Sequence, residues 1–132
     1  MSATAGPNTH GAGAEPWPTE ISYDPAQKIL RIAFDNARQF DLPAEYLRIE
    51  SPSAEVQGHN PDEKVLVAGR RHVGILDMEE VVNYAVRIVF DDLHDTGIYS
   101  WRYLYELGRD YAERWQGYLS ALADAGKSRD PV

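Results

Sequence analysis

The sequence predicts an α+β domain with small antiparallel β-sheets, a short helix after the first strand pair and a longer C-terminal helix packed on one face. Three observations support this prediction. Two segments alternate apolar and polar side chains, as half-buried strands do. The order strand, turn, strand, helix occurs twice along the chain, and an apolar stripe with helical spacing follows the second copy. Strands covered by helices are typical of the α+β class.

An internal repeat relates the two halves of the chain. Leu30-Arg-Ile-Ala-Phe-Asp35 matches Val86-Arg-Ile-Val-Phe-Asp91, and with a slip of one residue Tyr46-Leu47 matches Tyr103-Leu104. Two copies are too few for a solenoid. The repeat therefore favours an antiparallel sheet that is covered on one face by helices.

Two strands are predicted in the first half. The period of two over residues 28–34 places Leu30, Ile32 and Phe34 on one face of a strand. The chain then turns, and residues 38–41 are expected to return as the second strand.

A short helix and a long loop are predicted next. Pro43 suits the first turn of a helix over residues 44–48, because its fixed φ fits and its missing N–H would be unpaired there. Residues 50–63 contain two prolines and a glycine without periodicity, which indicates a loop. A short edge strand is expected over residues 65–67.

The second half is predicted to contain strands over residues 73–78 and 84–90 and then one long helix. This helix is expected from about Ser100 to Ala125. Gly108 lies within its apolar stripe and costs ~1 kcal/mol of helix propensity relative to alanine, which predicts tight packing against a strand. We interpret the stripe as core. It comprises Trp101, Leu104, Tyr105, Gly108, Tyr111, Trp115, Tyr118, Leu119 and Leu122.

The chain is predicted to form one domain between two tails. Residues 1–18 contain few apolar side chains and are expected to be a disordered N-terminal tail. Residues 19–125 form the domain, and residues 126–132 are expected to be a disordered C-terminal tail.

Composition excludes several functions. The formal charge is −8, with 21 acidic and 13 basic side chains, which disfavours nucleic acid as a partner. The chain has no cysteine, so it offers no disulfide, cysteine nucleophile or thiolate zinc site. No apolar run approaches the ~18 residues that span a bilayer, which predicts no membrane role. No secretory signal pattern is present, and the sequence predicts a cytoplasmic protein.

No catalytic pattern is found, and the sequence predicts that the chain is not an enzyme. A Gly-x-Ser-x-Gly motif is absent, and nothing in the sequence places a histidine beside Ser51, Ser53, Ser100 or Ser120. The glycine spacing of phosphate-binding loops is absent as well.

The densest cluster of polar side chains lies on the predicted turn after residue 90. Asp91, Asp92 and His94 are candidate ligands of a hard or borderline metal such as zinc or iron. The alternative is that these acidic turn residues only bond to the local backbone. No cofactor is otherwise indicated.

Two segments resemble a known family. Leu47-Arg-Ile-Glu-Ser-Pro-Ser-Ala-Glu-Val-Gln-Gly-His59 and Gly97-Ile-Tyr-Ser-Trp-Arg-Tyr-Leu-Tyr-Glu-Leu-Gly108 are similar to the bacterial stand-alone form of the gamma-butyrobetaine hydroxylase-like N-terminal domain. The resemblance spans roughly residues 19 to 120 and implies a non-catalytic accessory module. In larger relatives this domain precedes an iron- and 2-oxoglutarate-dependent dioxygenase domain, and related domains are joined to ATPases that handle iron–sulfur clusters.

The resemblance also implies the location of a zinc site in the dioxygenase relatives. Their Cys-x-Cys-x-x-Cys segment and later histidine can be laid onto Ser51, Ser53, Val56 and His94. Neither serine nor valine supplies a thiolate, so inherited zinc binding is not expected.

The predicted role is therefore an accessory or protein-interaction domain, linked by resemblance to iron, iron–sulfur or 2-oxoglutarate dioxygenase metabolism. Its partner is an unidentified protein. The residues predicted to bind this partner are Ser51, Ser53, Glu55, His59 and His94. The alternative is a metal-binding protein that uses His94 with nearby carboxylates.

Overall fold

The computed structural model describes residues 15–132 and contains two three-stranded antiparallel sheets. The first sheet consists of β1 (Pro18–Asp24), β2 (Ile29–Phe34) and β3 (Gln39–Pro43), in that order. The second consists of β4 (Ile75–Val81), β5 (Ala85–Phe90) and β6 (Gly97–Ser100), also in chain order. The N-terminal tail predicted to be disordered covers residues 1–18, and its residues 1–14 lie outside the part of the chain that the structure describes.

Each sheet leads into helical structure. The helices are α1 (Ala44–Ile49), α2 (Ala54–Gln57), a 3₁₀ turn (Pro61–Glu63), α3 (Trp101–Arg109) and α4 (Tyr111–Asp124). The predicted α+β class, with a short helix after the first sheet and longer helical structure at the C-terminal end, is confirmed.

The core lies between the two sheets and the helices that follow them. Leu30, Ile32 and Phe34 of β2 are buried, and so are Ile88 and Phe90 of β5, as their alternating pattern predicts. Arg31 projects from the other face of β2 and is exposed. The apolar face of each central strand therefore contributes to one shared core.

The internal repeat corresponds to two copies of the same turn. In the first sheet the Phe34 N–H donates to the Arg38 carbonyl at 2.8 Å, and in the second the Phe90 N–H donates to the His94 carbonyl at 3.0 Å. These residues occupy matching positions in the two halves. The sequence repeat therefore reflects a real repetition of backbone structure.

Side chains and backbone angles repeat at this turn as well. The Asn36 side chain accepts a hydrogen bond from the backbone N–H two residues on at 3.1 Å, and the Asp92 side chain does the same at 3.1 Å. Ala37 and Leu93 follow them with φ values of 69° and 73°, in the left-handed region. The second copy thus places a leucine where a non-glycine residue is strained.

Several features of the fold differ from the sequence prediction, and one of them is that the predicted loop over residues 50–63 contains α2 and the 3₁₀ turn. β1 was not predicted, because its only apolar side chains, Ile21 and Tyr23, are half-buried in an edge strand. The short strand expected at 65–67 is wrong, since this segment pairs with no strand and is joined by one backbone bond from the Val65 N–H to the Val56 carbonyl at 2.7 Å.

A further difference is a bend in the predicted C-terminal helix. The prediction of one helix from Ser100 to Ala125 is wrong, because Asp110 has φ −103° and ψ 17° and separates α3 from α4. The predicted N-cap is confirmed, since the Tyr103 N–H donates to Ser100 Oγ at 3.0 Å. Because of this bend, α3 packs against β3 and β6, while Trp115 of α4 packs against the ring of Tyr46.

Residues 126–132, for which the sequence predicts a disordered tail, make specific contacts in the structure. The N–H groups of Gly69 and Arg71 donate to the carbonyls of Ser128 and Arg129 at 2.9 and 3.0 Å. The Arg129 guanidinium pairs with both carboxylate oxygens of Glu45 at 2.9 and 2.7 Å. All of these partners are distant in sequence, so no local pattern signals them.

Gly108 packs against a strand as predicted, and Gly117 in α4 provides a matched comparison. A Cβ at Gly108 would lie 2.3 Å from Phe40 Cγ of β3, whereas a Cβ at Gly117 would have no atom within 4 Å. We expect Gly108→Ala to lower the free energy of unfolding by about 1 kcal/mol, the balance of roughly 2 kcal/mol of overpacking and roughly 1 kcal/mol of helix propensity.

Gly117→Ala should instead raise the free energy of unfolding by about 1 kcal/mol, because only the helix propensity changes. Urea denaturation followed by circular dichroism measures both variants. Shifts of the same sign would show that Phe40 does not require the space at Gly108.

Candidate functional site

The candidate site begins where α1 ends, because α1 is fixed by two tyrosines from the second half of the chain. All six residues of α1 are buried, and a helix leaves its last carbonyl groups without helical partners. The Tyr99 hydroxyl donates to the Leu47 carbonyl and the Tyr103 hydroxyl to the Glu50 carbonyl, both at 2.5 Å. Burial raises the pKa of both phenols, that of Tyr103 to about 12, so both remain neutral donors.

Ser51, the next residue, contacts His94 across the two halves. Ser51 Oγ lies 2.8 Å from His94 Nε2, and His94 Nδ1 lies 3.0 Å from Glu55 Oε1. The carboxylate at Nδ1 favours the tautomer in which Nδ1 carries the proton and Nε2 accepts from the Ser51 hydroxyl. The structure thus places a histidine beside a serine, which the sequence analysis did not foresee.

The environment of His94 favours its neutral form. Burial, followed by the positive charge of Arg48, lowers the pKa of His94 below its usual 6.5. The carboxylates of Glu55 and Asp92 offset part of this effect. A neutral ring is what the bond from the Ser51 hydroxyl requires.

The order Glu55, His94, Ser51 is that of a hydrolase triad, but the serine is inaccessible in this conformation. Ser51 has 0% of its surface exposed. A Cβ at Gly97 would lie 2.5 Å from Ser51 Oγ, which shows how closely the backbone covers the hydroxyl. A nucleophile needs a path to the carbonyl that it attacks. The three side chains therefore act here as a hydrogen-bonded link between two loops.

Ser53 and Thr96 form a second link beside the first. Ser53 Oγ lies 2.7 Å from Thr96 Oγ1, and Thr96 Oγ1 donates to Glu55 Oε1 at 3.2 Å. Ser53 also caps α2, because its Oγ accepts from the Glu55 N–H at 3.2 Å. Sequence analysis missed Thr96. Its partner Ser53 is 43 positions away, and nothing local marks it.

Asp92 anchors the turn that carries His94. The Nε atoms of Arg48 and Arg70 donate to Asp92 Oδ2 at 2.8 and 2.7 Å, and the His94 N–H donates to Oδ1 at 3.1 Å. Burial alone would raise the pKa of Asp92, but the His94 N–H and the Arg48 guanidinium outweigh it and lower the pKa. Arg48 Nη1 is buried without a hydrogen-bond partner in the described part of the chain.

The three predicted metal ligands do not converge. The Asp92 carboxylate faces two arginines, both ring nitrogens of His94 face Ser51 and Glu55, and Asp91 is exposed. Within residues 15–132 no three His, Cys, Asp or Glu side chains form a group that could hold a metal ion.

The residues present do not fit the zinc that the family resemblance implies. Ser51 and Ser53 are near His94, as the overlay requires, but their hydroxyls stay protonated near neutral pH and are already used in hydrogen bonds. Val56 is buried and has no donor atom in its side chain.

The residues predicted to bind a partner divide into two groups. Ser51, Ser53 and His94 are buried and hold the two loops together, while Glu55 and His59 are exposed. Leu93 was missed, although 81% of its surface is exposed beside the buried His94. The internal repeat could have identified Leu93 from the sequence, because it aligns Leu93 with Ala37 at the same turn position.

These features define a class of protein: a small α+β domain of two three-stranded sheets with a polar link between two loops. The chain belongs to the gamma-butyrobetaine hydroxylase-like, N-terminal family, whose model matches residues 21–105. The resemblance read from the sequence is thereby confirmed.

No curated protein matches the chain. In residues 15–132 no helix has the length and apolar character needed to cross a membrane.

The solved structures that are similar to this chain include the following three. Two are solution structures determined by NMR; one is 47% identical, covers 89% of this chain and 92% of its own, and has a TM-score of 0.77. The other is 44% identical, covers 92% and 90%, and has a TM-score of 0.78. The third is the crystal structure of a DUF971 family protein of unknown function from Acidithiobacillus ferrooxidans, 31% identical over 69% of this chain and 91% of its own, with a TM-score of 0.58.

The first prediction from this site concerns metal content. Protein purified without a histidine tag and dialysed after exposure to zinc should retain well below one equivalent, because only one of the four overlaid positions is a zinc ligand. Elemental analysis by mass spectrometry measures the bound metal. Ser51→Cys/Ser53→Cys/Val56→Cys, which restores the Cys-x-Cys-x-x-Cys spacing, is the positive control. One equivalent of zinc that is lost in His94→Ala would contradict the prediction.

The second prediction concerns pH. His94 has a lower pKa in the folded than in the unfolded state, so below about pH 6.5 the unfolded state binds more protons and stability falls with falling pH. His94→Asn should therefore make the pH dependence of the free energy of unfolding shallower between about pH 6.5 and the lowered pKa of His94. Denaturant titrations across this window give both slopes, and equal slopes would show that His94 is not the group responsible.

Proposed function

We propose that this chain is a non-catalytic protein-interaction domain. Its binding surface is the two-loop surface, which consists of residues 51–59 and 91–99. The exposed side chain of Leu93 carries this proposal. The burial of Ser51, Ser53 and His94 means that these residues support the surface from below, while Leu93 and Glu55 are available to the partner.

Leu93 is unfavourable for the isolated domain in two ways. Its φ of 73° costs a non-glycine residue roughly 1–2 kcal/mol, and its apolar side chain is 81% exposed to water. Ala37 holds the matching turn position with a smaller side chain. Strain of this kind is concentrated at functional sites, and a large apolar side chain on a rigid turn is a suitable anchor for a partner pocket.

The buried links make the two-loop surface rigid before binding. Ser51 and His94 join the two loops at one point, and Ser53 and Thr96 join them at another. Preorganised loops lose less conformational entropy when a partner binds, so more of the contact energy appears as affinity. The scaffold thus supports recognition without a metal.

The charge around Leu93 favours a basic partner. Glu55 and Asp95 have 64% and 53% of their side chains exposed, and Asp91 is also exposed. The whole chain carries −8. A protein surface with an apolar pocket bordered by lysine or arginine would complement this arrangement.

The proposed pathway of the partner is supported by the family resemblance alone. Larger relatives connect the domain to iron- and 2-oxoglutarate-dependent dioxygenases and to proteins that handle iron–sulfur clusters, which supports a partner in such metabolism. The alternative, metal binding through His94 and nearby carboxylates, gains no support from the observed contacts, and the zinc measurement above tests it.

Leu93→Asn is the sharpest test of the two-loop surface. Asparagine tolerates the left-handed conformation, so we expect the variant to be more stable by up to about 1 kcal/mol while it loses partner capture. Val82→Asn is the matched control, because Val82 is also a turn residue, 76% exposed with a φ of 54°, but lies outside the surface.

The measurement is affinity capture from an extract of the source cells, quantified by mass spectrometry beside denaturation curves of both variants. Val82→Asn should capture the same proteins as the unchanged chain, and Glu55→Lys should capture less because it reverses a charge. Undiminished capture by Leu93→Asn would reject Leu93 as the anchor.

A further inference from the structure

A groove lies along α4, away from the two-loop surface. The α4 groove is formed by α4, the segment 64–67 and the end of α1, and has a volume of about 420 Å³. Its apolar walls include Ile49, Val65 and Tyr118. This volume is within the 300–1,000 Å³ typical of small-molecule sites. The groove shares no residue with the two-loop surface.

Gly117 leaves space in the α4 groove that no part of the described chain uses. A glycine inside a helix costs ~1 kcal/mol relative to alanine. At Gly108 a strand side chain requires the space, but at Gly117 no atom lies within 4 Å of where a Cβ would stand. The glycine therefore has no packing role within residues 15–132, and its effect is to widen the groove.

One end of the α4 groove carries an excess positive charge. Glu50 is 5% exposed, and its Oε1 accepts from Lys64 Nζ at 3.2 Å and from Arg114 Nη1 at 3.3 Å. Two cations meet one carboxylate, and both cations remain partly exposed at the rim. This local excess of positive charge occurs in a chain with a formal charge of −8, and Asp92 with Arg48 and Arg70 forms a second such group outside the groove.

The apolar walls and the charged end together indicate the chemical class of ligand that the groove would bind. We infer that the α4 groove binds a small amphipathic monocarboxylate, with its carboxylate at Lys64 and Arg114 and its apolar chain along Gly117, Val65 and Tyr118. The helix rises roughly 10 Å from Arg114 to Ala121, which suits a medium-length chain rather than a protein segment. Buried Glu50 holds the two cations in place for the carboxylate, because it restrains both side chains before the ligand arrives.

Titration of the full, ¹⁵N-labelled chain with octanoate tests this inference. Amide shifts should saturate with a Kd below about 1 mM and be concentrated in residues 64–67 and 114–121. Octan-1-ol and octylammonium carry the same apolar chain with a neutral and a positive head, and both should bind at least about tenfold more weakly.

Two variants of the same helix distinguish binding in the groove from nonspecific hydrophobic binding elsewhere on the surface. Gly117→Leu adds a side chain whose Cβ would meet no atom within 4 Å, so it should stay folded, and it should occupy part of the groove and weaken octanoate binding at least about tenfold. Gln116→Leu places the same side chain on the exposed face one residue away and should leave the Kd unchanged. Arg114→Gln should weaken octanoate more than octan-1-ol.

Several results would overturn the inference. The absence of saturable shifts would reject the site, and equal affinity for octan-1-ol would reject the carboxylate. Equal binding by Gly117→Leu and the unchanged chain would place the ligand elsewhere. None of these results affects partner capture through Leu93, so the two proposals fail independently.

Discussion

The structure depends on satisfying the carbonyl groups at the end of a short, fully buried helix. α1 has only six residues, so most of its backbone carbonyls lack a helical partner, and an unpaired carbonyl in the core costs about 1–3 kcal/mol. Tyr99 and Tyr103 supply the missing donors from β6 and α3. Tyr46 of α1 donates in return to the Leu107 carbonyl of α3 at 2.7 Å. These bonds join the two repeated halves into one domain.

The candidate site follows directly from this arrangement. Because α1 is fixed at its C-terminal end, Ser51 meets His94 on the turn of the other half. Relatives with cysteines at the corresponding positions are expected to join these loops with zinc, whereas this chain joins them with serine, histidine, glutamate and threonine. Each of these hydrogen bonds contributes about 1 kcal/mol, far less than a structural zinc ion, and the burial of Ser51 and His94 compensates in part by excluding competing water.

The repeated turn has one backbone conformation that carries different side chains in the two halves. In the first sheet it carries Asn36, Ala37 and Arg38, which are all exposed at the surface. In the second sheet the same hydrogen bonds carry Asp92, Leu93 and His94. The backbone of the turn has the same hydrogen bonds in the two halves, so the two turns differ in their side chains. The leucine at the strained position of the second turn is the difference between the two turns for which we propose a functional explanation.

The sequence by itself determined the elements whose signals are local. The alternation in β2 and β5, the repeated order of strands and helix, the cap at Ser100 and the tight approach at Gly108 all follow from neighbouring residues. Tertiary structure alone decided the Ser51–His94 contact, the edge strand β1, the bend at Asp110, the docking of residues 126–132 and the α4 groove. Each of these depends on residues far apart in the chain. Periodicity encodes which face of an element is apolar, but it does not encode which distant element that face will meet.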